Sequence, residues 1–329
     1  MDTIIGGANM KAVIGANGMG LETHLEELRA EFPQVEFVFE PSRETLAETL
    51  ADADIYMGWI NREIFMAAKQ LKWIQSPSSG ANYYVAIPEL VASDVLLTSA
   101  VGTHSSCLAD SIFGMILAFT RGIRQFILRQ QKHEWSLREL RNTLCELTNQ
   151  TIGLIGFGSV GRATAKRAHA FDMRILAVDA YPGVKPDYVE ALMGLDGLPK
   201  LLAESDIVLV SVPYTKDTDH MIGAEQIAQM KDGAYLIVIS RGGIVDEDAM
   251  IAALHSGKLA GAASDVFAQE PLPPDSPLWD EPNLLITPHA AGGTQYEGAH
   301  VMEIFKENLA KFLKGDLPLR NQVNKELGW

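Results

Sequence analysis

The sequence predicts an α/β protein of two parallel-sheet domains with a cleft between them. Three observations lead there. Short apolar runs alternate with amphipathic stretches along nearly the whole chain, the pattern of strands buried on both faces between covering helices. A glycine fingerprint, Gly156-x-Gly158-x-x-Gly161, directly follows one of those runs. It lies in mid-chain, after a complete strand–helix series, so a second series starts there. The 329 residues suffice for two domains of ordinary size.

Residues 1–9 read as a short disordered lead. Residues 11–15, 35–39, 54–58, 71–75 and 95–98 read as strands, with helical patterns at 21–30 and 44–50. Residues 105–129 form one long helical pattern, with Leu108, Ile112, Met115, Ile116 and Phe119 at the spacing of a buried stripe. The second series has six strands, at 152–155, 174–178, 207–210, 235–239, 261–265 and 284–286. The expected architecture is thus a pair of Rossmann-like or flavodoxin-like sheets. A last amphipathic helix, 297–313, carries Val301, Ile304, Phe305, Leu309 and Phe312 on one side and is expected to return to the first domain. The expected division is 1–103 plus 294–329 as a substrate domain and 104–293 as a dinucleotide domain, with a site between them.

Composition narrows the partners. A formal charge of −15 argues against nucleic acid and anionic membranes, since a polyanion needs a basic surface. Cys107 and Cys145 are too few for a disulfide framework and are expected as thiols. The longest apolar stretch, 112–119, is bounded by Asp110 and Arg121 and is too short to span a bilayer. Asp2 and the lack of a basic n-region give no signal peptide, so a cytoplasmic location is expected. No metal site is expected.

Around the fingerprint, Gly156 allows the tight turn, Gly158 lets the backbone approach a pyrophosphate, and Gly161 lets helix and strand pack closely. Phe157, Ser159 and Val160 complete the cofactor-binding turn, and the helix that opens there offers N–H groups to phosphate. Asp179 ends the next strand, 18 residues after Gly161. A carboxylate there accepts both ribose hydroxyls of NAD and repels a 2′-phosphate, and Ala180 and Tyr181 bring no arginine. NAD is therefore expected over NADP.

Three polar residues each follow a strand of the second series: Arg241, Glu270 and His289. Ligands of open α/β sheets bind at the carboxyl ends of strands, so all three are expected to face the cofactor crevice. Singly, each has an ordinary structural reading, as an ion-pair residue, the start of a loop before Pro271, and a turn residue after Pro288.

Five ordered motifs carry a resemblance. Residues 156–179, 212–218, 240–247, 265–271 and 287–292 look like the D-isomer-specific 2-hydroxyacid dehydrogenase family. The resemblance implies that His289 is the general acid/base, Glu270 its partner and Arg241 the substrate anchor. It also implies that Asp265 binds the nicotinamide carboxamide, while Val212, Pro213, Thr218, Ile239, Ser240, Arg241, His289 and Gly292 line the cofactor. In the first domain, the 78–81 loop is similar to the family loop whose backbone N–H groups grip the substrate carboxylate, which implicates Ser79 and Gly80 alongside Arg241 and His289. Asn82-Tyr83-Tyr84 departs from the frequent Gly-Val-Asp, and Asp110 stands where Glu is common; both put the substrate's identity in doubt. Trp59, Ile60, Tyr83 and Trp279 are candidates for shaping its side-chain pocket, against a packing role for each.

The function so implied is NAD-dependent interconversion of a small 2-keto acid, such as glyoxylate or hydroxypyruvate, with its D-2-hydroxy acid. Glu270 favours carbonyl chemistry over formate oxidation, because formate dehydrogenases of this superfamily carry Gln there. The alternatives are phosphite oxidation and a corepressor-like NAD sensor. A regulatory terminal domain of the kind found in some phosphoglycerate dehydrogenases is not expected. A homodimer is expected, with the helix from Ser105 and residues 131–147, including Trp135, as the candidate interface.

Overall fold

The computed structural model describes residues 10–328. The expected lead at residues 1–9 lies outside the described residues. Strands β1 (Met10–Gly15), β2 (Val35–Glu40), β3 (Ile55–Met57), β4 (Trp73–Gln75) and β5 (Leu96–Thr98) alternate with helices α1 (Leu25–Glu31), α2 (Leu46–Thr49), α3 (Arg62–Ala67), α4 (Asn82–Val85) and α5 (Pro88–Val91). Helices α6 (Ser105–Thr120) and α7 (Ile123–Gln131) follow. The second series has strands β6 (Thr151–Ile155), β7 (Arg174–Val178), β8 (Ala191–Met193), β9 (Ile207–Val210), β10 (Ala234–Val238), β11 (Leu259–Ser264) and β12 (Leu284–Ile286). Its helices are α8 (Ser159–Ala170), α9 (Leu198–Glu204), α10 (Ala224–Gln229) and α11 (Glu247–Ser256), and α12 (Glu297–Lys314) closes the chain.

The chain divides into two compact units, Met1–His104 with Thr294–Trp329, and Ser105–Gly293. The first holds a five-stranded sheet in the order β2-β1-β3-β4-β5, parallel throughout. Its strands β3 and β4 are short and fully buried because both faces are covered. On one face Trp73 is fully buried and stacks on Phe305 of α12, with ring centroids 5.2 Å apart. Val301, Phe305 and Leu309 present the apolar stripe of α12 to that core, so the terminal helix belongs to this unit.

The second unit holds a seven-stranded parallel sheet in the order β12-β11-β10-β9-β6-β7-β8. β6 pairs with β7 on one side and β9 on the other, so strand order reverses beside it. A crevice at such a switch point is where open α/β sheets bind ligands. Central strands such as Val208-Leu-Val210 and Leu236-Ile237 are fully or almost fully buried, which fixes the strand positions.

Two expectations need correction. The sheet has seven strands, not six: β8 is a three-residue edge strand that pairs with β7 through Leu176↔Ala191. The long helix from Ser105 is broken into α6 and α7, which meet at 67°. Gly122 adopts φ 64° there, a left-handed conformation that ends the α-helical ladder. No single helix among the described residues is long and apolar enough to cross a membrane.

Candidate active site

The glycine turn between β6 and α8 has the geometry of an anion cradle. A Cβ at Gly161 would lie 2.3 Å from the Gly156 carbonyl oxygen, so only glycine lets α8 close onto the turn. A Cβ at Gly158 would meet nothing within 4 Å, which leaves open space above the backbone. Gly158 is the N-cap of α8 and supplies no side-chain cap, so the first N–H groups of α8 are left for an external acceptor. Phe157 is buried, while Ser159 and Val160 are half-buried in the first turn. Asp179 lies one residue beyond β7, where its Oδ2 accepts the Phe157 N–H at 2.7 Å and its Oδ1 the Tyr181 N–H at 2.9 Å. Each carboxylate oxygen keeps a further lone pair for a ribose hydroxyl. Cradle and carboxylate thus fit a nicotinamide dinucleotide, which supplies a transferable hydride when bound.

Arg241, Asp265 and His289 follow β10, β11 and β12, three adjacent strands. Backbone bonds continue the sheet into this cluster: the Asp265 N–H donates to the Val238 carbonyl at 3.0 Å, and the His289 N–H to the Asp265 carbonyl at 2.8 Å. His289 Nδ1 lies 2.6 Å from Glu270 Oε2. A carboxylate only accepts, so the proton on that nitrogen belongs to His289. Glu270 is itself oriented, since its Oε1 accepts the Phe267 N–H at 2.9 Å. The two side chains are 46% and 35% exposed, and His289 Nε2 has no hydrogen-bond partner among the described residues. Arg241 is half-buried and donates to the Ser240 carbonyl at 2.7 Å. A Cβ on the adjacent Gly242 would overlap the Phe267 carbonyl, so glycine is what lets the Arg241 and Glu270 loops touch.

His289 has φ 52°, unusual for a residue with a side chain. The Asp265 carboxylate holds it there. Asp265 is buried, and its Oδ1 accepts the Ala290 N–H at 2.9 Å and the Thr287 hydroxyl at 2.5 Å. Its Oδ2 accepts the Ala291 N–H at 3.1 Å. Sequence reasoning gave Asp265 a cofactor role and missed this anchoring one; a carboxylate directly after a buried strand of small residues was the available signal. The loop is also pinned to α6, where Cys107 and Ser111 donate to the Gly292 and Ala291 carbonyls, each at 3.1 Å.

Other residues named from sequence are more loosely placed. Val212 and Pro213 follow β9, half-buried and exposed respectively. Thr218 closes its own loop, donating to the Pro213 carbonyl at 2.8 Å and accepting the Thr215 N–H at 2.7 Å. Ile239 is buried, and the buried Ser240 hydroxyl has no partner among the described residues. Trp279 is bonded within its own loop, to the Pro273 carbonyl at 2.8 Å. No cluster of three metal-ligating side chains occurs among the described residues.

In the five-stranded unit, the loop after β4 carries Ser79 and Gly80. The Ser78 hydroxyl donates to the Gly80 carbonyl at 3.0 Å and the Ser78 carbonyl accepts the Ala100 N–H at 2.9 Å. The Ser79 and Gly80 N–H groups donate to nothing among the described residues. Of the proposed pocket residues here, Ile60 belongs to the core, Trp59 stacks on Tyr84 at 6.0 Å, and Tyr83 is exposed.

The second unit therefore has the features of a dinucleotide-binding α/β unit with a histidine–carboxylate pair at its strand ends. Residues 113–291 match the family profile described as D-isomer specific 2-hydroxyacid dehydrogenase, NAD binding domain. A glyoxylate reductase of Thermofilum pendens is 39% identical over 293 residues, covering 87% of this chain and 86% of that protein. A D-3-phosphoglycerate dehydrogenase of Archaeoglobus fulgidus is 35% identical over 94% of this chain, which spans 56% of that longer protein. Among solved structures, an NADPH-dependent glyoxylate/hydroxypyruvate reductase of Sinorhizobium meliloti, in complex with NADP and sulfate, aligns with TM-score 0.83 at 27% identity, covering 97% of this chain and all of that one. The chain belongs to the D-isomer specific 2-hydroxyacid dehydrogenase family, NAD(P)-dependent oxidoreductases of small 2-hydroxy and 2-keto acids.

Proposed function

We propose that the protein is an NAD-dependent reductase of a small 2-keto acid, forming the D-2-hydroxy acid. The 2.6 Å bond between His289 Nδ1 and Glu270 carries the reading. Reduction delivers a hydride to the carbonyl carbon and needs a proton at the carbonyl oxygen. Protonated His289 gives that proton from Nε2, the nitrogen not held by Glu270, and Glu270 steadies the imidazolium before transfer. In the reverse direction neutral His289 takes the hydroxyl proton. Arg241 presents its fork of donors to the substrate carboxylate and polarises the carbonyl. In the five-stranded unit, the open Ser79 and Gly80 N–H groups support a role in holding a substrate carboxylate.

The Asp179 carboxylate supports NAD over NADP: a 2′-phosphate would face like charge held in place by two backbone bonds. The protein acts as a homodimer, a reading supported by apolar side chains on α7. Ile123, Ile127 and Leu128 are exposed there, and the following segment carries fully exposed Trp135.

The test is loss of NADH absorbance with a panel of 2-keto acids, from glyoxylate and hydroxypyruvate to branched and aromatic acids, repeated with NADPH. The expected result is turnover of the small acids and a higher kcat/KM with NADH. Silence across the panel, with NADH bound, would refute the reading. Light scattering at micromolar concentration should give twice the chain mass.

A further inference from the structure

We infer that His104 and Glu297 are positioning residues for the Ser79–Gly80 loop, an inference that rests on reading this loop as the grip on the substrate carboxylate. Glu297 is the first residue of α12, and the chain returns over 193 positions to bring it to His104. His104 Nε2 lies 3.1 Å from Glu297 Oε1. The carboxylate accepts only, so Nε2 carries a proton and the ring is oriented with Nδ1 toward the 78–80 loop. Nδ1 lies 2.8 Å from the Thr103 hydroxyl and 3.4 Å from that of Ser79. Both hydroxyls also lie on the Ala100 carbonyl, at 2.8 Å for Thr103 and 3.2 Å for Ser79.

The Ser79 side chain thus donates to the Ala100 carbonyl and abuts the His104 ring, whose orientation Glu297 sets. The other face of the segment is held from α12 as well, by the His300 Nδ1–H donating to the Thr103 carbonyl at 3.1 Å. The His104 side chain is 12% exposed. Apolar packing would tie α12 to this segment without burying an imidazole and a carboxylate. What the histidine adds is a ring nitrogen of fixed direction beside Ser79, one residue from the N–H of Gly80. The carboxylate stands in the first turn of α12, where the helix dipole favours its charge.

The experiment compares Glu297→Ala, Glu297→Gln and His104→Ala with wild type, using glyoxylate and NADH. Expected for Glu297→Ala and His104→Ala is a KM for glyoxylate raised by about 5- to 20-fold, with kcat and NADH affinity changed less than about threefold. Glu297→Gln keeps an acceptor oxygen and should restore KM to within about threefold of wild type. The double variant should be no worse than His104→Ala, since the two act as one unit. An unchanged KM, a fall in kcat alone or additive effects would overturn the inference. Should His104→Ala not fold, the two Glu297 variants decide the matter. Amide hydrogen exchange at Ser79 and Gly80 reads the loop without turnover: faster exchange in Glu297→Ala supports the positioning role, and unchanged exchange overturns it. Wild type that reduces no 2-keto acid would count against the functional reading instead.

Discussion

Each unit carries a histidine–glutamate pair beyond the edge strand that ends its series, His104–Glu297 after β5 and His289–Glu270 after β12. The chemistry of the two pairs is the same, but their surroundings differ. His104 uses both ring nitrogens inside its own unit, on a carboxylate and on hydroxyls. His289 uses one, at the shorter distance of 2.6 Å, and leaves Nε2 without a partner among the described residues. Its side chain is also about four times as exposed, 46% against 12%. A histidine whose nitrogens are both engaged can hold a shape. One with a carboxylate on one side and an open nitrogen on the other can pass a proton outward. If His289 is the proposed acid, a motif of residue types does not define a proton relay; the open ring nitrogen does.

The largest effect should come from removing the open nitrogen. His289→Asn suits the left-handed backbone at this position and deletes the proposed acid. Turnover of 2-keto acids should fall by about 10²- to 10⁴-fold, with NADH binding retained in a fluorescence titration. Turnover near wild type would remove His289 from the reaction. Glu270→Gln should be intermediate. It loses a charge-assisted bond of about 1.5–3 kcal/mol to the imidazolium, so kcat should drop about 10- to 100-fold. The same exchange at Glu297 should leave kcat nearly untouched, and equal effects at the two glutamates would erase the comparison. The smallest effect concerns support. Asp265→Asn turns an acceptor of four bonds into a poorer one at the base of the His289 loop. We expect about 1–2 kcal/mol of lost stability, seen in calorimetry as a Tm lower by about 2–8 °C. An unchanged Tm with weakened NADH binding would assign Asp265 to the cofactor rather than to the loop.

Much of this was legible in the chain. The βα alternation and the 156–161 glycines specify the sheets, because buried parallel strands need continuous apolar runs and a close helix–strand turn needs glycine. Arg241, Glu270 and His289 stood out as polar residues after such runs. What stayed hidden was set by contacts distant in sequence. β8 is a three-residue, half-buried strand whose pairing with Leu176-Ala-Val178 defines it, and nothing in Ala191-Leu-Met193 itself announces a strand. Gly122 interrupts a helical period that continues on both sides, so the break was invisible to periodicity. The anchoring of the His289 loop depends on where the Asp265 carboxylate points, and the His104–Glu297 pair joins residues 193 positions apart.

The left-handed backbone at His289 has a consequence for how such a chain can change over time. Holding a side chain at φ 52° costs of the order of 1 kcal/mol or more, which glycine would avoid. Selection for folding alone therefore pulls this position toward glycine or asparagine, and under the proposed mechanism it is selection for the proton that keeps an imidazole there. A descendant freed from the reaction would gain robustness by the very replacement that silences it, so the identity of this one residue records which pressure has prevailed.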